Sequence, residues 1–529
     1  MNVPLTPIRC LYRAVDLYGN KVGVVSGPSS FTYAQFGERC ERLAGGLLAE
    51  GIRPGDRVGY LSFNNHQLLE GYYGPPLVRA ISMPLNVRLQ PAELTTILNH
   101  ARASMLVFES DFAPLVQELR KACPSIRRYV AIDQPVPEAD LYLEDLLARD
   151  RISRPDIFSF DENEIAELFY TSGSTGTPKG VTLSHRTLYL HALAILASFP
   201  CKDTDVELHT IPLFHANGWG RPQSVTMKGS RHVMVRRFEP VYVLRIIEEE
   251  RATAMTLVPT MANALLNCPE LSKFKTSSLK MITTGGAASS PELIARLEQA
   301  FHCEVCSGYG LTESAPVITT AQTKGTVACA DETERLTRLA AAGWPLVGSE
   351  VHVADAQMHD VPRDMQTVGE VVVRGDNVMD GYYREADATK AAVTNNWLRT
   401  GDMAVWDEEN YIHIVDRKKD IIISGGENIS SIEVEKAIFA HPAVLECAVV
   451  SAPDPQWGEI PVAIIVLKPG HHLSEEQLLV SLKPRIAKYK MPRLVQFVEG
   501  PLPKTGTGKM LKRQLREAFW SGKTTRVQG

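Results

Sequence analysis

Tyr170-Thr171-Ser172-Gly173-Ser174-Thr175-Gly176-Thr177-Pro178-Lys179-Gly180 is the stretch on which the reading of this chain turns. It follows Glu164 to Phe169, a run that reads as a buried strand. Gly173, Gly176 and Gly180 allow backbone amides to crowd an anion, and the hydroxyl side chains with Lys179 can ligate phosphate oxygens. The segment is not a loop of the form G-x-x-x-x-G-K-[ST]. Counted from Gly173, Pro178 stands where the second glycine belongs, and Lys179 precedes a glycine rather than Ser or Thr. A flexible surface loop has the same composition, so this stretch alone leaves phosphate binding and a plain loop both open.

On either side of it, from about residue 30 to 330, short apolar runs alternate with amphipathic stretches. Thr32 to Leu48 reads as a helix, Pro54-Gly55-Asp56 as a turn and Val58 to Ser62 as a buried strand. Pro91 to His100 then looks helical and Ser104 to Phe108 extended; His232 to Val235, Val241 to Glu250 and Ala254 to Leu257 repeat the rhythm, as do Lys280 to Thr284, Pro291 to Phe301 and Glu304 to Cys306. Such alternation favours parallel sheets with helical crossovers, an α/β fold. After Gly343 short β-like runs (Val351 to Val353, Gly369 to Arg374, Tyr411 to Val415) suggest a small β-rich unit. The charged run Asp416-Arg417-Lys418-Lys419-Asp420 then separates a further α+β part, with strands at Glu446 to Val450 and Pro461 to Leu467 and helices at Ser430 to Ala440 and Ser474 to Lys483. The expected organisation is a large N-terminal domain over 1–415, a hinge at 416–420 and a small C-terminal domain over 421–529.

A length of 529 residues is enough for roughly three or four structural units. With 44% hydrophobic and 22% charged residues the composition is ordinary for a soluble globular protein. A net charge of −5 argues against a general nucleic-acid binder, which would be clearly basic. The nine cysteines, including Cys303-x-x-Cys306, lack a second pair at zinc-ligand spacing and are expected as reduced thiols with no structural metal. No apolar stretch approaches the ~20 residues needed to span a membrane. The first residues lack a signal-peptide pattern, and Arg526-Val527-Gln528-Gly529 is not a peroxisomal address, so the cytoplasm is expected.

A second hydroxyl- and glycine-bearing loop, Pro503-Lys504-Thr505-Gly506-Thr507-Gly508-Lys509, lies near the C-terminus; by itself it reads as a solvated basic turn. Between the two loops stand Pro212-Leu213-Phe214-His215, Tyr309-Gly310-Leu311-Thr312-Glu313, Arg399-Thr400-Gly401-Asp402, and Asp416-Arg417-Lys418-Lys419-Asp420 followed by Gly425-Gly426-Glu427-Asn428. These segments, in this order and over nearly the whole chain, resemble the signature motifs of the adenylate-forming superfamily. That group holds acyl-CoA synthetases, adenylation domains of peptide synthetases and luciferases. The resemblance implies a large N-terminal and a mobile C-terminal domain, with ATP, Mg²⁺ and coenzyme A as the small molecules used.

It also implies a role for each matched position. The loop residues Thr171, Ser172, Gly173, Ser174, Thr175, Gly176 and Lys179 would hold the departing phosphates, and Glu313, with Thr171, would coordinate Mg²⁺ through oxygen. Gly308, Tyr309 and Gly310 would form a slot for adenine, bordered by Gly285, Gly286 and Ala287, with Thr312 near the phosphates. Asp402 would accept hydrogen bonds from the ribose, with Arg417 nearby. Lys509 would bridge substrate carboxylate and nucleotide during adenylation. Lys419 matches the family hinge, after whose rotation Ser424, Gly425 and Gly426 would approach the pantetheine.

His215-Ala216-Asn217-Gly218-Trp219-Gly220 should lie near the acyl pocket. Its form looks most like medium- and long-chain fatty acyl-CoA synthetases, with His215 gating access and Trp219 lining a tunnel; core packing of Trp219 is the plainer alternative. Gly286 and Ala288 would add a second wall with room for an apolar tail or ring. Phe214 to Gly220 contains no carboxylate to pair with a substrate ammonium, which disfavours amino acids. The expected activity is ligation of a medium-chain fatty, or related apolar or aryl, acid to coenzyme A. Transfer of the adenylate to a carrier protein and a non-catalytic nucleotide-binding protein are the alternatives, and similarity to fatty acyl-CoA synthetases suggests a homodimer.

Overall fold

The computed structural model describes residues 2–171, 178–199, 201–504 and 510–520. By packing, the chain divides into one unit of residues 1–351 with 373–398 and a second of residues 352–372 with 399–529. The run 416–420, expected as a hinge between domains, falls within the second unit.

The first unit is built on two sheets. One runs in the order Gly381–Tyr382, Lys179–Ser184, Ile165–Thr171, Ile81–Pro84, Arg57–Leu61, Met105–Phe108, Arg128–Ala131 and Leu141–Tyr142. Its middle is parallel, with Val58 opposite both Ser82 and Met105. Fully buried runs such as Met105–Phe108 pack on both faces, the pattern parallel strands require. The helix expected from Thr32 onward is Tyr33–Ala49, and Thr32 caps it in a reciprocal capping box with Gln35. Chain direction reverses at the glycine- and hydroxyl-rich stretch, where Ile165–Thr171 and Lys179–Ser184 pair antiparallel with Thr171 opposite Lys179.

The second sheet runs Trp344–Pro345, Val317–Thr320, Glu304–Gly310, Met281–Thr284, Ala254–Leu257, Val206–His209, Arg231–Met234, Val22–Ser26 and Ser29–Thr32. From Val22–Ser26 through Glu304–Gly310 neighbouring strands are parallel. Helices Pro240–Glu250, Pro259–Leu266 and Pro291–Phe301 supply the crossovers, each opening with proline at its first turn, where the missing amide costs nothing. Their apolar faces, including Leu244, Ile247, Leu265, Ile294 and Leu297, close the core on Leu257, Ile282 and Val305. The α/β reading and its parallel sheets are therefore what the chain adopts.

In the second unit, Glu427–Ile429, Ile422–Ser424, Gly458–Leu467 and Val444–Asp454 form an antiparallel sheet, to which Leu494–Phe497 adds in parallel. Alternate residues serve opposite faces. Val449, Ala463 and Ile465 meet the helices Ser431–Phe439 and Glu475–Leu482, while Ala448, Val450 and Ile464 meet Leu515 and Phe519 of the helix Lys512–Trp520. All nine cysteines are free. Among the described residues no helix is long and apolar enough to cross a membrane.

Candidate active site

Within the first unit the residues singled out in the sequence collect where strands of the two sheets end. In open parallel sheets the carboxyl ends of the strands are where ligands bind. Thr171 closes one strand and Lys179 opens the next, so the hairpin connection is held at its mouth by two groups that can face phosphate oxygens. Ser172, Gly173, Ser174, Thr175 and Gly176 lie outside the described residues, as does Lys509 near the C-terminus.

Glu313 sits in a single 3₁₀ turn, Thr312–Ser314, directly after the strand Glu304–Gly310. Its carboxylate accepts a hydrogen bond from the Tyr382 hydroxyl at 2.9 Å, and its carbonyl accepts the Met379 amide at 2.8 Å. The Lys179 ammonium lies over the Tyr382 ring, 4.7 Å from the centroid. Burial, and next the Glu313 charge, push the Tyr382 phenol up, so it stays protonated and donates. Since Tyr382 pairs with Val181, the Glu313 carboxylate is tied to the strand that leaves the glycine-rich hairpin. A hard cation held with a nucleotide keeps most of its ligands as phosphate and water oxygens and needs few from protein. The Glu313 carboxylate, fixed by a phenol, and the Thr171 hydroxyl at the hairpin mouth fit that demand.

Gly285, just past the strand Met281–Thr284, has the close approach that excludes any side chain. A methyl group there would stand 2.6 Å from Trp219 Cζ3 and 2.9 Å from the Gly308 carbonyl oxygen. The loop is fastened beneath by hydroxyls: Thr284 Oγ1 lies 2.8 Å from Ser289 Oγ and 2.9 Å from Ser307 Oγ. Trp219, 9% exposed, packs with Ile211, Ala216 and Val258, and Met261 and Val317 complete this apolar cluster. Gly285, Gly286, Gly308 and Trp219 are thus brought together as the sequence suggests. Ala287 and Ala288 are exposed on the same loop. Gly308 and Tyr309 pair with Thr320 and Thr319, and Thr312 is buried beside Glu313.

The backbone after His215 is unusual. Ala216, Asn217, Gly218, Trp219 and Gly220 all have positive φ, three of them non-glycine residues in a conformation costly for L side chains. Asn217 is 1% exposed, and among the described residues neither end of its amide has a partner. The sequence displays the two glycines of this turn but neither its left-handed run nor the contacts of Tyr382.

In the second unit, Asp402 is buried opposite Arg417, whose Nε lies 3.0 Å from its carboxylate. Glu370 steadies the neighbouring backbone by accepting from the Gly401 amide at 3.1 Å, and Thr400 caps the Asp402 amide at 3.1 Å. A carboxylate held in this way offers oxygens that can accept from paired hydroxyls such as those of a ribose. Ser424 pairs with Gly458, and Gly425 donates to the Trp457 carbonyl at 2.8 Å with φ 61°. Lys419 is exposed, but its carbonyl accepts from Arg516 Nη1 at 2.7 Å.

Comparison with known proteins shows the family. The family model described as AMP-binding enzyme matches residues 11–383, and the AMP-binding enzyme C-terminal domain matches 433–509. The chain is 38% identical to a long-chain-fatty-acid–CoA ligase of Thermus thermophilus over 517 residues, covering 96% of this chain and 94% of that protein. It is 36% identical over 509 residues to a feruloyl-CoA synthase of Amycolatopsis sp, covering 96% of this chain and 98% of the other. Among solved structures, the anthranilate CoA ligase AuaEII in complex with anthranoyl-AMP superimposes with a TM-score of 0.88 at 25% identity, covering 98% of each chain. ATP-bound MatB from Rhodopseudomonas palustris does so with a TM-score of 0.86 at 26% identity, covering 97% of this chain and 99% of that one. The two matched family models, with the ordered motifs and Glu313 tied to the strand that leaves the glycine-rich stretch, lead to one assignment: the chain belongs to the AMP-binding enzyme family of adenylate-forming proteins.

Proposed function

We propose that this chain is an ATP- and Mg²⁺-dependent acid–CoA ligase for a medium-chain fatty, or related apolar or aryl, carboxylic acid. The reaction joins the acid to AMP with release of pyrophosphate, then passes the acyl group to coenzyme A with release of AMP. The observation that carries the choice of acid is the apolar wall of Trp219, Ile211, Val258 and Met261 around Gly285 and Gly286. That wall takes an uncharged body, and Phe214 to Gly220 offers no carboxylate for a substrate ammonium.

In the first step positioning and charge neutralisation supply most of the acceleration, since an attacking carboxylate needs little covalent help. Lys179 and the hairpin residues hold the departing phosphates, and Glu313 with Thr171 hold Mg²⁺. Tyr309, Gly308 and Gly310 take the adenine, Asp402 and Arg417 the ribose. Lys509 bridges the reacting groups. In the second step Ser424, Gly425 and Gly426 border the pantetheine, and Lys419 is the hinge between the two. The reading includes residence in the cytoplasm and a homodimer, the latter open to light scattering in solution.

The test is to incubate the protein with Mg-ATP, coenzyme A and short-, medium- and long-chain, aryl and thioether acids, following products by mass spectrometry. Acyl-CoA and AMP appearing together for apolar or aryl acids is the expected result. Acyl-AMP without thioester would transfer the activity to another acyl acceptor; neither product from any acid would overturn the ligase reading.

A further inference from the structure

The segment from Asn377 to Tyr383 is stitched to both sides of the phosphate-handling apparatus. Toward the Glu313 turn, the Asn377 side-chain amide donates to the Ser314 carbonyl at 3.3 Å, and the Met379 amide and Tyr382 hydroxyl donate to Glu313. Toward the strand leaving the hairpin, the Asp380 amide donates to the Thr182 carbonyl at 3.1 Å and the Tyr383 amide to the Gly180 carbonyl at 2.7 Å. The Asp380 carboxylate accepts the Ser184 amide at 2.7 Å. Tyr382 itself is fixed by its amide, which donates to Thr389 Oγ1 at 2.8 Å. It is the member of this strap whose side chain meets Glu313 and Lys179 together.

We propose that Tyr382 is a positioning residue for adenylation, holding the Glu313 carboxylate with its hydroxyl and the Lys179 ammonium with its ring. The inference rests on the ligase reading above. One phenol then sets both the carboxylate that serves the metal and the cation that serves the phosphates. The hydroxyl occupies Oε1 of Glu313 and so restrains that carboxylate, leaving Oε2 for another partner. The ring face holds the Lys179 ammonium by electrostatic attraction, so its N–H groups away from the ring can serve phosphate oxygens. Because the two contacts use different parts of the side chain, they separate by substitution.

Tyr382→Phe keeps the ring and removes the hydroxyl. In acid-dependent ATP–pyrophosphate exchange it should raise the half-saturating Mg²⁺ concentration roughly tenfold, the scale for losing a partner behind a metal ligand, with KM for the acid unchanged. Tyr382→Leu should add a several-fold rise in KM for ATP by releasing Lys179. If Tyr382→Leu does not fold, Lys179→Ala made in the wild type and in Tyr382→Phe gives the same separation. An unchanged Mg²⁺ requirement in folded Tyr382→Phe overturns the inference, because a purely structural tyrosine would move the melting temperature and not this curve. If wild type shows no exchange with any acid, the ligase reading fails by itself. The inference is then decided by ATP binding in calorimetry, where Tyr382→Phe must still raise the Mg²⁺ needed, and an unchanged requirement sinks it.

Discussion

Arg516 donates to the backbone carbonyl of Lys419 at 2.7 Å and to the Asp420 carboxylate at 3.1 Å, so the helix Lys512–Trp520 grips the charged run 416–420. In sequence this helix follows three residues after Lys509, which itself lies outside the described residues. Arg516 is nearly buried, and Asp420 is largely so. Removing one partner of such a pair strands the other, at a cost of about 3 kcal/mol. Arg516→Ala should therefore lower the unfolding midpoint in urea, and Arg516→Lys should recover only part of it, since a single ammonium does not reproduce the fork. Equal midpoints for wild type and Arg516→Ala would show that the grip contributes nothing.

Lys419→Pro tests the hinge itself. Proline keeps the carbonyl that Arg516 holds but locks φ near −65° and restricts the preceding residue. Where a hinge absorbs a dihedral change, the step that needs the change slows. The expected outcome is thioester formation reduced far more than acid-dependent pyrophosphate exchange, read in separate half-reaction assays. Equal losses in the two would remove Lys419 from the hinge role.

Lys509 is assigned by its motif, and its test is a dissociation of the two half-reactions. A cation placed where charge develops contributes roughly two to three decades in rate. Lys509→Ala should lose about that much in adenylation yet form acyl-CoA from supplied acyl-adenylate at a near wild-type rate. Loss of both steps together would sink the assignment.

Much of the fold was legible because its strands are short apolar runs of the kind parallel sheets bury, and its helices open on visible caps such as Thr32 and Ser290. Thr171 and Lys179 were legible as candidate phosphate ligands once the ordered motifs were read together with residue type, while their pairing across a hairpin is a matter of register. Tyr382 was not legible. Gly381-Tyr382-Tyr383 reads as any short strand, and the contacts that give it meaning are with residues distant in sequence. The left-handed turn at Ala216 to Gly220 was half legible. Its glycines announce a turn, but the positive φ of Ala216, Asn217 and Trp219 is imposed by packing that no local propensity encodes.

Gly285→Ala tests whether the Trp219 wall belongs to the acid. The added methyl would meet Trp219 at 2.6 Å and the Gly308 carbonyl at 2.9 Å, and the backbone oxygen cannot turn aside. Overpacking of this kind costs about 1–3 kcal/mol. Spent at the site, it should lower kcat/KM for the best acid roughly tenfold to a hundredfold, with a smaller change in KM for ATP. Trp219→Leu in the same chain should return part of the loss for bulky acids. An unaltered acid preference in Gly285→Ala would place the acyl group elsewhere.

The last prediction concerns acid. His66 and His209 are held down to about 3, His185 and His191 to about 4, and His232 well below its ordinary value, all chiefly by burial. His191, whose Nε2 lies 3.2 Å from both the amide and the carbonyl of Val317, also feels the Arg221 charge. A histidine kept neutral in the fold but able to charge near 6.5 when unfolded favours the unfolded state as pH falls. The stability at issue is complete above about pH 7.5 and is lost progressively from there down to about pH 4. From pH 6.5 to 5.5 each such residue should remove about 1 kcal/mol. Urea unfolding at pH 7.5, 6.5 and 5.5 should show a drop of roughly 2 kcal/mol across the first interval and roughly 5 kcal/mol across the second. His191→Gln should make that second drop shallower by about 1 kcal/mol, whatever it does to stability at pH 7.5. A parallel displacement at all three pH values would show that His191 titrates in the fold as it does in the unfolded chain, against the burial that surrounds it.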